Sequence, residues 1–143
     1  MRFITIVFIF LFHFPIIFNA QTVQDDFEGN GTITWEPDPT QVIVFDVSNP
    51  NQFQEGINTS STVLKYDDNG SAAFANIRFN IPGNFDLSTE NTFSFKIYIP
   101  TGSISGTQAN QISLKLQDGA LGEPWATQSE IIKPVVLDQW QEI

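Results

Sequence analysis

Apolar and polar positions alternate over several short stretches of this chain, and each stretch stops at Gly, Pro, Asn or Asp. The clearest is 92–99. There Phe93, Phe95, Ile97 and Ile99 share one face and Ser94, Lys96 and Tyr98 take the other, the period of two that a half-buried strand imposes. In 112–117, Ile112, Leu114 and Leu116 likewise alternate with Ser113, Lys115 and Gln117. The run 42–47 is β-branched and ends at Ser48-Asn49-Pro50, and 63–66 leads into Asp67-Asp68-Asn69-Gly70, an Asn-Gly turn signal. Residues 72–79 are stopped by Pro82-Gly83, and 131–137 and 140–143 supply the last apolar stretches. No window sustains a capped apolar period of 3.6, so little helix is expected. Short strands at this spacing, punctuated by turn residues, predict an all-β sandwich or barrel.

The amino terminus follows a different rule. Met1-Arg2 is a short positive start, residues 3–18 are almost unbroken Phe, Ile, Leu and Val, and a polar Asn19-Ala20 pair follows. This is the order of a secretory signal peptide. A permanent membrane helix needs about 20 apolar residues, and this run is shorter and holds His13 and Pro15. Cleavage is expected between Ala20 and Gln21, leaving 21–143 as one β-sandwich domain outside the cell, with no membrane contact after cleavage.

Composition then narrows the chemistry. The 143 residues include no Cys, one His and 16 acids against 6 basic groups, for a formal charge of −10. Without Cys there is no disulfide framework, thiolate metal site or cysteine nucleophile. Nucleic acids and anionic membranes are polyanions bound by Lys and Arg, so neither is an expected partner. Leader removal takes the single His and leaves five cations, Lys65, Arg78, Lys96, Lys115 and Lys133. A Ser-His-Asp mechanism is then out of reach. With 41% hydrophobic and 13% aromatic residues the chain can still build a core.

A resemblance adds to this reading. Asp25-Asp26-Phe27-Glu28-Gly29 looks like the opening strand of secreted bacterial carbohydrate-binding modules with the galactose-binding-like jelly-roll fold. Asn49-Pro50, Gly56-Ile57-Asn58-Thr59-Ser60, Val63 and Lys65-Tyr66 are similar to a pattern in such modules. So are 113–118, Pro124-Trp125 and Gln139-Trp140-Gln141. The resemblance spans nearly all of 25–143, although each motif is short, and the usual continuation after the Trp strand is absent. It implies a jelly-roll β-sandwich whose closing strands are missing, since the chain stops at Trp140-Gln141-Glu142-Ile143 within an apolar stretch. It further implies a monomeric, non-catalytic module of a larger secreted protein, accessory to a glycoside hydrolase. The alternatives are a structural or adhesive cell-surface module, or the accessory part of a truncated glycosidase.

Candidate residues follow from what a sugar and a cation require. If 25–29 is a strand, alternation puts Asp26 and Glu28 on one face, two hard oxygen donors for an ion that takes about six to eight. The resemblance implies a structural Ca²⁺ there with Glu28 as the foremost side-chain ligand. A solvated strand end is the plain alternative. Asp67-Asp68-Asn69-Gly70 lacks the EF-hand spacing and reads as a hairpin turn. A pyranose stacks its apolar face on an aromatic plane and needs planar polar partners for its hydroxyls. Lys96 and Tyr98 on one strand, with Lys115 and Gln117 on another, would form such a face if the two strands share a sheet. An ordinary solvated sheet face is the rival. Trp125, in the loop after Pro124, is either an exposed platform or a lid folded over the core. Trp140 alternates with apolar neighbours and is expected in the core, while Trp35 is open to either role. A glycosidase needs two carboxylates about 5–10 Å apart across a cleft, and no motif in the chain marks such a pair. The sequons at Asn30, Asn58 and Asn69 matter only in a eukaryotic secretory pathway.

Overall fold

The computed structural model describes residues 24–38, 43–70, 75–81 and 83–143. The expected leader 1–20, Val42, the first three residues of the run 72–79 and Pro82 lie outside them. Over the described residues the chain is all-β, with almost no helix. In chain order come β1 (Trp35–Asp38), β2 (Ile43–Pro50), β3 (Thr62–Asp68), β4 (Asn76–Phe79), β5 (Lys96–Ile97), β6 (Gln111–Leu116), β7 (Ser129–Pro134) and β8 (Gln141–Glu142). A 3-10 turn at Pro124–Thr127 lies between β6 and β7. No helix here is long and apolar enough to cross a membrane.

The strands pair antiparallel as four two-stranded ribbons, β1–β4, β2–β3, β5–β8 and β6–β7. Among the described residues the outer edge of each ribbon has no ladder partner. In β1–β4, Glu36 pairs with Arg78 and Asp38 with Asn76. Arg78 reaches both carboxylates of β1, Glu36 at 3.6 Å and Asp38 at 3.4 Å. Pro37, which has no N–H, is compatible with β1 because the strand is an edge. Trp35 sets its edge against Phe79 opposite it, with centroids 5.1 Å apart.

Two sequence expectations about strand length change. The β2–β3 ladder continues through Ser48-Asn49 to Pro50, with a register shift between Asp46 and Asn49. Asp46 Oδ1 accepts from Ser48 N at 2.9 Å and Ser48 Oγ at 3.1 Å, a local bond that absorbs the extra residues. Of the alternating run 92–99, only Lys96–Ile97 is ladder, because β8 offers two residues to pair with. Phe95 and Ile143 extend that pairing by exchanging N–H···O bonds at 3.3 and 3.0 Å.

The segment 25–29 is a turn and not an opening strand. Asp25 Oδ1 accepts Phe27 N at 2.8 Å and Asp26 Oδ1 accepts Glu28 N at 3.0 Å, two consecutive Asx turns that compete with extended pairing. Phe27 accordingly sits at φ 62°, and Gly29 at φ 90°. Asp25 also accepts Trp35 Nε1 at 2.9 Å, and a Cβ on Gly31 would stand 2.7 Å from the Asp25 carboxylate. Gly31 is therefore the residue that lets this strut to Trp35 form. Trp35 is half-buried and structural.

Apolar packing centres on β6–β7. Phe93, Phe95 and Ile143 face Ile112, Leu114 and Ile131 around a cavity of about 180 Å³. Val135 is buried, and no large side chain among the described residues is fully enclosed. Asn58 is the one buried polar side chain among them, and its Oδ1 accepts from Ser60 N and Oγ.

Candidate functional site

The β6–β7 hairpin has two unlike faces because β6 alternates apolar and polar residues. Opposite the apolar face, Ser113, Lys115 and Gln117 project beside Ile132, Glu130 and Gln128, by the register Ser113↔Ile132 and Lys115↔Glu130. Glu130 Oε1 accepts from Ser113 Oγ at 2.6 Å and lies 3.9 Å from Lys115 Nζ. Lys115 Nζ donates to Asn76 Oδ1 of β4 at 3.2 Å, tying two ribbons together. One step beyond the ladder, Gln117 Nε2 donates to Gln128 Oε1 at 2.7 Å. That bond leaves the Gln117 carbonyl and the Gln128 amide N–H groups without a partner among the described residues.

Trp125 rides on the 3-10 turn that Gln128 closes. Pro124 at its start fixes φ, and Ala126 N donates back to the Glu123 carbonyl at 3.0 Å. On this short turn Trp125 is 62% exposed. The indole is not folded over the core as a lid. A ring this exposed, three residues before Gln128 in the chain, offers an aromatic plane, and the Gln117–Gln128 pair offers donors and acceptors.

Lys96 and Tyr98 lie apart from this set. Lys96 is in β5, which pairs with β8, whereas Lys115 is in β6, which pairs with β7. The condition that the two strands share a sheet is not met, so the four residues do not form one ladder face. Lys96 is exposed. Tyr98 is half-buried and stacks on Phe53, with centroids 4.1 Å apart and planes 11° from parallel. Trp140, expected in the core, is half-buried against Tyr98 at 5.7 Å and donates from Nε1 to the Phe53 carbonyl at 2.6 Å.

Asp26 and Glu28 are engaged by separate donors. Asp26 takes Glu28 N and Asn30 Nδ2, the latter at 2.9 Å. Glu28 Oε1 accepts Ser61 N at 2.5 Å and Thr62 N at 3.2 Å, and its Oε2 accepts Ser61 Oγ at 2.8 Å. The Thr62 hydroxyl also donates to the Phe27 carbonyl. The Ser61 side chain and the Thr62 backbone N–H, in that order, pull the Glu28 carboxyl below its ordinary range. The Glu28 N–H and then Asn30 do the same for Asp26. No group of three His, Cys, Asp or Glu that could hold a metal gathers among the described residues. The donor set around Asp26 and Glu28 is N–H and O–H, which suits carboxylates without an ion, and no step here runs through calcium.

No known family, curated protein or solved structure matches the chain. The reading of function therefore rests on its own residues.

Sequence reasoning singled out Lys115, Gln117 and Trp125 but missed Gln128, Glu130 and Asn76, which complete the same face. For Gln128 and Glu130 a signal was present. Counting back from a turn centred on Gly122-Glu123 places them opposite Gln117 and Lys115 in an antiparallel hairpin. Asn76 and Phe53 carry no such signal, because their contacts join segments 39 and 45 residues apart.

Proposed function

We propose that this chain is a secreted, non-catalytic carbohydrate-binding module that docks onto polysaccharide, with the β6–β7 hairpin as its binding surface. Its four ribbons are read as paired parts of a jelly-roll sandwich, and the apolar side of β6–β7 as part of the buried layer. The observation that carries the reading is Trp125, 62% exposed on the turn that leads into Gln128, with Gln128 bonded to Gln117 and Glu130 paired opposite Lys115. A sugar ring stacks on the indole while the free amide groups of Gln117 and Gln128 meet its hydroxyls. Glu130 on this face is held by Ser113 and Lys115. Export rests on the leader-like residues 1–20. By holding a polymer close to a partner enzyme, such a module raises local substrate concentration without chemistry of its own.

Affinity electrophoresis of the full chain through gels containing glucan, xylan, mannan or galactan tests this. Retardation is expected on at least one polymer. Trp125→Ala should weaken it about tenfold or more, the loss of roughly 1.4 kcal/mol of stacking and burial, with Tm unchanged because the ring packs against little. Unaltered mobility on every polymer, or full retention by Trp125→Ala, overturns the reading.

A second reading, an adhesive or structural module, draws on Ile132 and Val136, each more than half exposed on or just after β7. Self-association or protein capture lost on Ile132→Ser, with no glycan retardation, would favour it.

A further inference from the structure

One residue on the inward face of the β6–β7 hairpin does not match its neighbours. By the ladder register the cross-strand pairs on that face are Leu116 with Ser129, Leu114 with Ile131, and Ile112 with Lys133. A lysine thus stands opposite an isoleucine on the side that meets Phe93, Phe95 and Ile143. Its ammonium has no hydrogen-bond or ion-pair partner among the described residues, where the ion pairs use Arg78 and Lys115. Where a local pattern breaks without a compensating contact, a functional role is the first place to look.

Lys133 lines the cavity of about 180 Å³ on this face, and among the described residues it is the one charged side chain that does. The walls are set from both sides. Phe95 exchanges backbone bonds with Ile143, and Phe93 meets Phe85 edge-on with centroids 5.1 Å apart. Ile112 and Leu114 are fixed in a ladder of six pairs. Water reaches the cavity beside β7, since Ile131 on its lining is 55% exposed.

The other polar residues of the lining are Asn91 and Thr92. Thr92 Oγ1 donates to Asn91 Oδ1 at 3.3 Å, so what Asn91 still offers is its amide N–H groups. The lining therefore presents hydrocarbon, two phenyl rings and donors, with no carboxylate side chain among them. A cavity of about 150 Å³ takes up benzene, so this one has room for a single ring. Phe93 and Phe95 favour an aromatic one, set edge to face. The unanswered cation assigns the other end of the occupant a negative charge.

We propose that this cavity binds a one-ring aromatic carboxylate, with the ring between the two phenyl groups and Leu114 and the carboxylate paired with Lys133. The lysine is part of the lining and carries its charge on a flexible four-carbon stem, so it can follow a carboxylate at the opening. The long-range field works against such a ligand, because a net charge of −10 repels anions. A preference for the acid over its neutral amide must then come from a local cation. The site lies on the opposite face of the hairpin from Lys115 and Gln117 and does not rest on the glycan reading.

NMR titration of the full chain with 3-phenylpropionate and with its neutral amide, 3-phenylpropanamide, tests this. The acid is expected to shift the methyl signals of Leu114, Ile131 and Ile143 and to bind about tenfold tighter than the amide. Lys133→Gln, at an exposed side chain, should cut that preference several-fold while amide binding and Tm stay as they were. Lys133→Arg should retain the preference, and Trp125→Ala should leave it untouched. Equal binding of acid and amide would mean that Lys133 only lays its stem over apolar surface, and it overturns the proposal. So does an acid that shifts none of these methyl signals, or a preference that survives Lys133→Gln.

Discussion

Glu28 joins the first turn of the described chain to the start of β3, 33 residues later, by three hydrogen bonds from Ser61 and Thr62. Those donors favour the ionised carboxyl, so its folded-state pKa lies below the ordinary 4.5. A group with a depressed pKa adds stability that is present above its unfolded value and is lost as pH falls through the folded one. Glu28→Gln should therefore lower Tm at neutral pH, and the gap to the wild-type chain should close as pH drops below 4.5. Melts of both proteins across that range check this, and a gap that persists in acid contradicts it. This long-range role was not legible in Asp25-Asp26-Phe27-Glu28-Gly29. The stretch resembles an opening strand, and the long-range partners of Asp25 and Glu28, Trp35 and Ser61, lie beyond any local window. Trp125 was half legible: Pro124 announced a constrained turn, but only the fold says which way the indole points.

At the scale of elements, β6–β7 was the most readable ribbon, because β6 alternates cleanly and each strand pairs over its full length with a partner of six residues. The run 92–99 alternates just as well and yields only two ladder residues. Periodicity reports a face that can be buried, while a ladder also needs an opposite strand of matching length. In β2 the Asp46-Val47-Ser48 stretch hides a bulge that β-branched neighbours mask. Asp46→Ala removes the two bonds to Ser48 that shape it and should destabilise by about 0.5–1.5 kcal/mol, the net value of one such hydrogen bond. Urea titration should show a lower midpoint with an unchanged slope. A changed slope would mean that the bulge sets the compactness of the whole chain.

Over the whole molecule, stability is divided among ribbons of unequal length. β2–β3 and β6–β7 each hold six paired positions on either strand, and β5–β8 holds two. Amides of β5 and β8 should exchange with solvent fastest and those in the middle of β6 and β7 slowest, spread over more than about tenfold. One uniform rate across all eight strands would instead mean that the chain opens as a single unit. The class of this architecture was readable from short apolar runs and turn residues. Its ribbon partners were not, since a pairing such as β1 with β4 links segments about 40 residues apart and leaves no mark on either.

The unpaired ribbon edges also bear on how the protein keeps its own company. Bare backbone rims are ready seams for a neighbouring copy, which Pro37 in β1 and the bulge in β2 blunt in places. What keeps the copies apart is the surplus of carboxylates, a long-range cushion set by the medium more than by the fold. Brine or vinegar would thin that cushion, so the dissolved state of this protein belongs as much to its surroundings as to its sequence.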